Sequence, residues 1–282
     1  MNQRKSLKEL NLLDKFLFDE AMDDPENVKT MLDIILSQNT NLKQSPQTEK
    51  EQRISTDNRQ IRLDVYAIDE DDVIYEVEAQ KENTHNLPKR SRLYQGIIDS
   101  KLLPPGVVDF NLLNEVLIVL ITPFDLFGYG LYRYTFQMKC EEVSELKLDD
   151  GATRIFLNTR GKHPELVSPE LIELLKYMEH STDEVSEACE SKRIQEMHRR
   201  VCQIRASEKT EVKYMQSWEE RIMIKQEGIA EGRIEGEKAL LKSLIEKKMV
   251  KKYSAEQISA MLEVDVSEVE NIMKEIQNEK YL

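Results

Sequence analysis

Two short segments of the sequence carry acidic side chains at spacings that suit a divalent cation. The segments read IRLDVYAI at 61–68 and VIYEVEAQ at 73–80, and an acidic stretch at 69–72 joins them. Their acidic and amide side chains include Asp64, Glu76, Glu78 and Gln80. Mg²⁺ prefers oxygen ligands, usually keeps several waters and needs only one or two carboxylates from a protein. The segments therefore contain the side chains of a candidate metal site.

Both segments are rich in β-branched and aromatic residues, which predicts a β-hairpin. Alternation along the strands places one set of apolar side chains on a common face, namely Leu63, Val65, Ala67, Val73, Tyr75, Val77 and Ala79. The acidic residues then occupy the other face. If the loop 70–72 closes the hairpin, residue 69 pairs with residue 73 and Asp64 lies opposite Glu78, with Gln80 one step further along the same face.

Two carboxylates that face each other across a strand pair repel each other. A bound cation or a raised carboxyl pKa must relieve this repulsion, and a divalent metal ion is the natural solution. A solvated hairpin face with incidental acidic residues is the alternative interpretation of the same spacing.

Other elements must hold this hairpin in place. Helical spacing of apolar residues predicts helix over 10–37, interrupted near the DDPE sequence, and 39–60 reads as polar and irregular. The remaining elements are a helix at 89–102, a strand at 116–121, strands at 131–138 and 153–159, and a helix that begins at Ser168. Because 116–121 is apolar at every position, we expect it to be an interior strand. The order predicts an α/β core with a mixed sheet flanked by helices.

The composition divides the chain into three parts. We expect a core domain at 1–182, a charged helical extension at 183–250 and a small helix-turn-helix-like unit at 251–282. Glu-Gly recurs every four residues at 227–236, which indicates either a face for close backbone approach or a flexible helix. The last predicted helix is rich in Glu, the wrong charge for a DNA groove, so packing or self-association into a homo-oligomer is favoured there.

Net charge and hydropathy limit the class of protein. The formal net charge of −13 opposes broad nucleic-acid binding, because phosphate contacts require clustered Lys and Arg, but it does not exclude a local basic patch. The apolar run 116–121 is far shorter than the roughly 20 residues of a membrane-spanning helix. We therefore expect a soluble, cytoplasmic protein that does not bind membranes.

The cysteines predict neither disulfides nor zinc binding. Cys140, Cys189 and Cys202 are too far apart for a disulfide framework or a CxxC signature. His198 and Cys202 lie four residues apart on a predicted helix, but without further ligands that pair is set aside as a site.

The hairpin also carries a resemblance to a known family. The runs LDVYAIDEDDVIYEVEAQ, LPKRSRLYQGIIDSKLL, FDLFGYGLYRYTFQMKCEE and DGATRIFLNTRG, with the Glu-Gly tail, resemble the recombination-promoting nuclease and transposase family of PD-(D/E)XK enzymes. The likeness covers nearly the whole chain and implies a restriction-endonuclease-like core. The family pattern of Asp, a turn and then Glu-x-Gln falls on Asp64, Glu78 and Gln80.

That resemblance implies a DNA endonuclease of a recombination or mobile-element system. Asp64 and Glu78 would bind Mg²⁺ or Mn²⁺, which polarises the scissile phosphate and activates the attacking water, and Gln80 would orient the water or the phosphate. Lys89 and Arg90 would meet DNA phosphates, while Arg92 with Tyr94 would reach the metal-site face. Glu76 shares the acidic face and would contact the metal ligands or replace one of them, although the family pattern favours Glu78 as the ligand.

One position departs from the family, and two alternatives stay open. Where the family often has Phe-Lys on its first helix, this chain reads Phe18-Asp19, so we expect that lysine's role to be absent. A catalytically inactive nuclease fold that acts as an interaction module is the main alternative, and a nuclease acting on RNA is the other.

Overall fold

The chain folds into two compact units. The computed structural model describes residues 5–52 and 61–279. The first unit is Met1–Tyr214 and the second is Met215–Leu282. The first unit extends past residue 182, where the sequence placed the end of the core domain, because Ile194, Met197 and Val201 are buried in the same apolar core as the earlier helices.

A mixed six-stranded sheet forms the centre of the first unit. Its strands are β1 (Gln47–Gln52), β2 (Ile61–Ile68), β3 (Ile74–Ala79), β4 (Val116–Thr122), β5 (Arg133–Phe136) and β6 (Ala152–Asn158). They lie in the order β1-β2-β3-β4-β6-β5. β3, β4 and β6 run parallel to one another, whereas β1 and β2, β2 and β3, and β5 and β6 pair antiparallel. The α/β class, the hairpin and the interior strand at 116–121 are confirmed.

The sequence missed strand β1. Most of the stretch 39–60 reads as polar and irregular, yet β1 forms the edge of the sheet and pairs with β2. An edge strand made of polar residues has no apolar alternation to reveal it, because its outer side faces solvent. Residues 53–60 of that stretch lie outside the described residues.

Nine helices surround or follow the sheet in the described ranges. In the first unit they are α1 (Lys15–Met22), α2 (Pro25–Leu36), α3 (Leu87–Asp99), α4 (Pro169–Glu179), α5 (Asp183–Glu187), α6 (Lys192–Ala206) and the start of α7 (Glu208–Val250). The second unit contains the rest of α7 with α8 (Ala255–Leu262) and α9 (Val266–Glu279). Helix α2 begins where the DDPE interruption was predicted: the Asp24 side chain accepts a hydrogen bond from the backbone N–H of Glu26, and Pro25 is the first helical residue.

Two apolar layers cover the two faces of the sheet. Helices α1, α2, α4 and α6 pack on one face, against side chains such as Val65, Val77 and Val119. Helix α3 packs on the other face, in a cluster that includes Tyr66, Ile118 and others. The interior strand β4 contributes to both layers, which explains why its sequence is apolar at successive positions.

The second unit has its own small core. Ile245 near the end of α7 packs with Ile258 of α8 and with Val269 and Ile276 of α9. The packing interpretation of this unit therefore agrees with the fold. A Cβ placed on any glycine of the Glu-Gly repeat would have no heavy atom within 4 Å, apart from its chain neighbours and the backbone of its own helix. Among the described residues, no other backbone therefore approaches these glycines closely. Within the described ranges, no helix has both the length and the apolar character of a membrane span.

The interior position of β4 leads to a prediction about stability. Ile121 is fully buried, and its replacement by Ala leaves a cavity, so we expect the free energy of unfolding to fall by about 2–5 kcal/mol. Leu112 is 64 % exposed, and Leu112→Ala should change it by less than about 0.5 kcal/mol. Urea unfolding followed by circular dichroism measures both. Equal losses in the two variants would contradict the interior placement of β4.

Candidate metal centre

The hairpin brings the predicted acidic residues together in the predicted register. The pairs Val65 with Val77 and Tyr66 with Glu76 set the alignment of β2 and β3. The next pair in this register is Asp64 with Glu78, as the sequence predicted. All three acidic side chains, Asp64, Glu76 and Glu78, are buried. The structure therefore concentrates negative charge away from solvent rather than on a solvated hairpin face.

The alternation of side chains is broken at Asp64. Val65 and Ala67 pack in the α1 layer as predicted, but Leu63 packs with Ile61 in the α3 layer, so its predicted face was wrong. The ladder between β1 and β2 also has a gap here, since Glu49, the residue across from Asp64, has a φ of 50°. A local distortion of the strand pair shifts which side each residue faces. Asp64 sits at this irregular position.

Helix α1 supplies two further charged side chains, which sequence reasoning missed. Lys15 Nζ makes a short ion pair with Asp64 and lies 3.2 Å from Asp19 Oδ2. Near the start of the same helix, Asp14 is tied to the end of the hairpin by Lys81, with Nζ to Oδ1 at 2.6 Å. The family's lysine after Phe18 is absent, as the sequence indicated, but Lys15 brings a cation to Asp64 from one helical turn before Asp19, because residues four apart share a helix face.

Helix α3 brings cationic and aromatic side chains to the other side of the acidic group. Arg90 Nη2 donates to Glu78 Oε1 at 2.5 Å and to Gln80 Oε1 at 2.7 Å. Tyr94, one turn further along, is buried close enough for the charges of Glu78 and Glu76 to affect its pKa. Arg92 is exposed, because a residue two positions after Arg90 lies on a different face of the helix. Arg90, rather than Arg92, therefore reaches the candidate site beside Tyr94.

Burial and mutual repulsion change the acidity of these groups. Burial raises the pKa of Asp19 from 3.8 to about 7, with Lys15 opposing the shift and Asp64 adding to it. Burial likewise raises the pKa of Glu78 from 4.5 to about 7, although Arg90 opposes it. Burial also raises the pKa of Glu76 well above its usual value, and the charges of Glu78 and Asp64 add to that shift. The sequence predicted relief of the repulsion by a cation or by raised pKa values; the directions of these shifts agree with the second, and Lys15 and Arg90 add positive charge beside the carboxylates.

Several oxygens of this group lack a partner among the described residues. Both carboxylate oxygens of Glu76 and Oε2 of Glu78 are buried and accept no hydrogen bond from any of them. Buried carboxylate oxygens without partners are costly unless a cation or a proton occupies them. The residues thus fit a hard divalent cation, with Asp64 and Glu78 as the predicted ligands and Glu76 and Asp19 as further oxygens nearby. The Gln80 amide is held at both ends, because its Nε2 donates to the backbone oxygen of Glu82 at 2.6 Å.

A cleft of about 410 Å³ adjoins this acidic group. Its polar lining consists of Arg62, Asn86, Lys89, Arg90 and Tyr94, with Ile61 and Leu93 as the apolar part. Three of these side chains are cationic and none is acidic. Lys89 and Arg90 were predicted from the sequence, whereas Arg62 was missed because it lies on β2, far from the helix in sequence. Arg90 belongs both to the cleft and to the acidic group, so the two are adjacent.

Comparisons with known proteins add no relative to this description. No protein-family model matches the chain, and neither the curated proteins nor the solved structures that were searched contain a match.

The raised pKa values predict how stability depends on pH. A carboxyl group whose pKa is higher in the folded protein stabilises it fully below the unfolded-state pKa, and this contribution is lost as pH rises through the folded-state value. For Asp19 and Glu78 that window runs from about pH 4 to beyond pH 7, and the pKa of Glu76 is raised in the same direction. We therefore expect the unfolding free energy of Glu76→Gln, measured in chelator, to fall less than that of the parent as the pH rises from about 5 to about 8.

Urea unfolding at a series of pH values measures this difference. Glu141 is exposed, and Glu141→Gln is the matched control that should follow the parent protein. If the Glu76→Gln curve also runs parallel to that of the parent, Glu76 does not carry the buried proton.

Proposed function

We propose that this protein is a Mg²⁺-dependent endonuclease that hydrolyses phosphodiester bonds in DNA. The observation that carries the proposal is the convergence of Asp19, Asp64, Glu76 and Glu78 beside a basic cleft, with three buried carboxylate oxygens that have no partner in the described part of the chain. If these carboxylates served only to stabilise the fold, apolar residues in their place would give equal or greater stability. Their presence therefore favours a role in binding a cation.

Asp64 and Glu78 would hold the metal ion, with Glu76 and Asp19 as neighbouring oxygens. Once bound, Mg²⁺ or Mn²⁺ would polarise the scissile phosphate and make an attacking water more acidic. Lys15 and Arg90 already neutralise part of the acidic charge, and both side chains can turn toward a phosphate when their carboxylate partners bind a cation. The basic residues of α1 and α3 would then stabilise charge that develops on the phosphate oxygens.

Gln80 has a positioning role in this proposal. A neutral amide neither accepts a proton at neutral pH nor supplies positive charge. Its Oε1 accepts from Arg90 and its Nε2 donates to a backbone carbonyl, so the side chain has a defined orientation next to Glu78. Gln80 would orient the attacking water or the phosphate. Arg90 would supply the positive charge that many related enzymes obtain from a lysine at the position of Gln80.

The basic cleft supports DNA as the substrate. Lys89, Arg90 and Arg62 line it, and although Arg90 also pairs with Glu78 and Arg62 with Glu49, the cleft gathers three cationic side chains in a chain that carries −13 overall. Phosphate contacts depend on such local clusters and not on total charge. The mixed sheet flanked by helices is also the core expected of a PD-(D/E)XK enzyme, which would act in the cytoplasm on recombination or mobile-element DNA, as the sequence resemblance implies.

A second candidate function is a catalytically inactive nuclease fold that acts as an interaction module. The ion pairs of Lys15 with Asp64 and of Arg90 with Glu78 favour it, because they offset the buried charge without any metal ion. The unpartnered oxygens of Glu76 and Glu78 oppose it. Cleavage assays separate the two candidates.

The first test concerns the two predicted ligands. Asp64→Asn and Glu78→Gln keep the size of each side chain but remove a metal-binding charge, so we expect each to lower Mg²⁺-dependent cleavage of supercoiled plasmid at least about 100-fold. The parent protein should cleave in Mg²⁺ or Mn²⁺ and be inactive in chelator.

Glu141→Gln serves again as the matched control and should cleave like the parent. Circular dichroism verifies that each variant is folded. If Asp64→Asn cleaves as fast as the parent, or if the parent never cleaves DNA in either metal, the endonuclease proposal fails and the interaction module replaces it.

The second test concerns the cleft and uses two basic residues of the same helix. Lys89 lines the cleft and Arg92 does not. We expect Lys89→Ala to weaken DNA binding and to reduce the slope of log affinity against log salt by about one, because one phosphate contact is lost. Arg92→Ala should change neither quantity. Fluorescence anisotropy with labelled duplex DNA in Ca²⁺ over a series of KCl concentrations measures both, and equal effects would remove the cleft from the DNA path.

A further inference from the structure

Three side chains with different donor atoms meet where α5 and α6 pack together. His198 Nε2 lies 2.8 Å from Asp183 Oδ1 and 3.4 Å from Cys202 Sγ. One ligand atom from each residue lies within 4.8 Å of the other two. The sequence had suggested only His198 and Cys202, which were set aside for lack of another ligand. The fold supplies that ligand, since α5 places Asp183 beside the pair.

We propose that Asp183, His198 and Cys202 bind a transition-metal ion of the zinc type, with water in the remaining position. An imidazole, a thiolate and a carboxylate together suit Zn²⁺, which accepts nitrogen, sulfur and oxygen ligands in a tetrahedral arrangement. Mg²⁺ prefers oxygen ligands alone and belongs to the carboxylates of the sheet instead. The proposed site is therefore chemically distinct from the candidate metal centre.

Tyr177 prepares the histidine for this role. Its Oη lies 2.9 Å from His198 Nδ1, and its ring meets the imidazole edge to face. When Nδ1 carries the proton and donates it to Tyr177 Oη, Nε2 has a free lone pair directed at the cluster. A second partner of this kind is what fixes the tautomer of a metal-binding histidine. Tyr177 is fully buried, so it holds the ring firmly.

The backbone also keeps the three ligands in place. His198 and Cys202 are one turn apart on α6, a helix of fifteen residues whose Ile194, Met197 and Val201 are buried in the main core. Asp183 is the first residue of α5, and Thr182 caps that helix by accepting a hydrogen bond from the Val185 backbone N–H.

Solvent can reach the cluster from one side. The Asp183 side chain is 80 % exposed, while His198 is buried. An ion can enter past Asp183; its binding places the single imidazole proton on Nδ1, leaves Nε2 free to bind, and releases the thiol proton of Cys202 to water. The bound ion would hold α5 against α6.

Co²⁺ is the probe for this site, because a cobalt ion bound to thiolate absorbs in the near ultraviolet and one bound only to oxygens does not. The full-length, reduced protein is titrated with Co²⁺ and then with Zn²⁺. We expect the thiolate band to appear and Zn²⁺ to abolish it, while excess Mg²⁺ leaves it unchanged. Cys202→Ser and His198→Gln should lose the band. Cys140→Ser, the matched cysteine control, should keep it.

Tyr177→Phe separates the histidine's orientation from simple packing. It should retain the cobalt band but bind the ion roughly 10- to 100-fold more weakly, because it removes the partner of Nδ1 and none of the ligands. No band in the parent protein, or an undiminished band in Cys202→Ser, would overturn the proposal. Unchanged affinity in Tyr177→Phe would overturn the role of Tyr177.

Alkylation of the unaltered protein provides a test that needs no variant. Zn²⁺ should slow the reaction of a thiol-alkylating reagent at Cys202 and leave the reaction at Cys140 unchanged, as measured residue by residue by mass spectrometry. Equal rates at Cys202 with Zn²⁺ and with chelator would overturn the site even if every substituted protein failed to fold.

Discussion

Repulsion among buried carboxylates is the constraint on which the candidate site depends. Glu76 and Glu78 project from β3, Asp64 lies across from Glu78 on β2, and Asp19 approaches from α1. Burial removes the water that would screen these charges, so each must find a proton or a cation. Two neighbouring helices supply cations: Lys15 of α1 pairs with Asp64, and Arg90 of α3 pairs with Glu78.

This arrangement links stability to function. A purely structural core would exclude four acidic side chains, because the cost of removing their charges from water is high. Here raised pKa values and two basic side chains reduce that cost but do not remove it, since the oxygens of Glu76 have no partner among the described residues. A divalent cation would satisfy those oxygens and would release Arg90 toward the cleft. Metal binding and phosphate binding would then support each other at the same place.

Charge is distributed unevenly over the molecule, and the total conceals this. The chain as a whole carries −13, yet Arg62, Lys89 and Arg90 line one cleft, and none of the described residues that line it is acidic. The cluster of Asp183, His198 and Cys202 lies on helices that follow the sheet, and its sulfur and nitrogen donors differ from the oxygens of the hairpin. The two metal sites that we propose in the first compact unit therefore differ in chemistry, one suited to a hard cation and the other to a softer one.

The sequence by itself determined those elements in which the spacing of apolar residues shows which faces are buried. Strand alternation and loop length predicted the hairpin and its register, and the unbroken apolar run 116–121 predicted the interior strand. The tertiary structure alone decided that polar β1 forms the sheet edge, that Lys15 and Asp19 join Asp64, that Arg90 and not Arg92 faces Glu78, and that Asp183 completes a cluster with His198 and Cys202. The physical reason is that the spacing of apolar residues shows which side of a single helix or strand is buried. Which polar side chains come together depends instead on how separate elements pack against each other, and that packing leaves no signal in the local sequence.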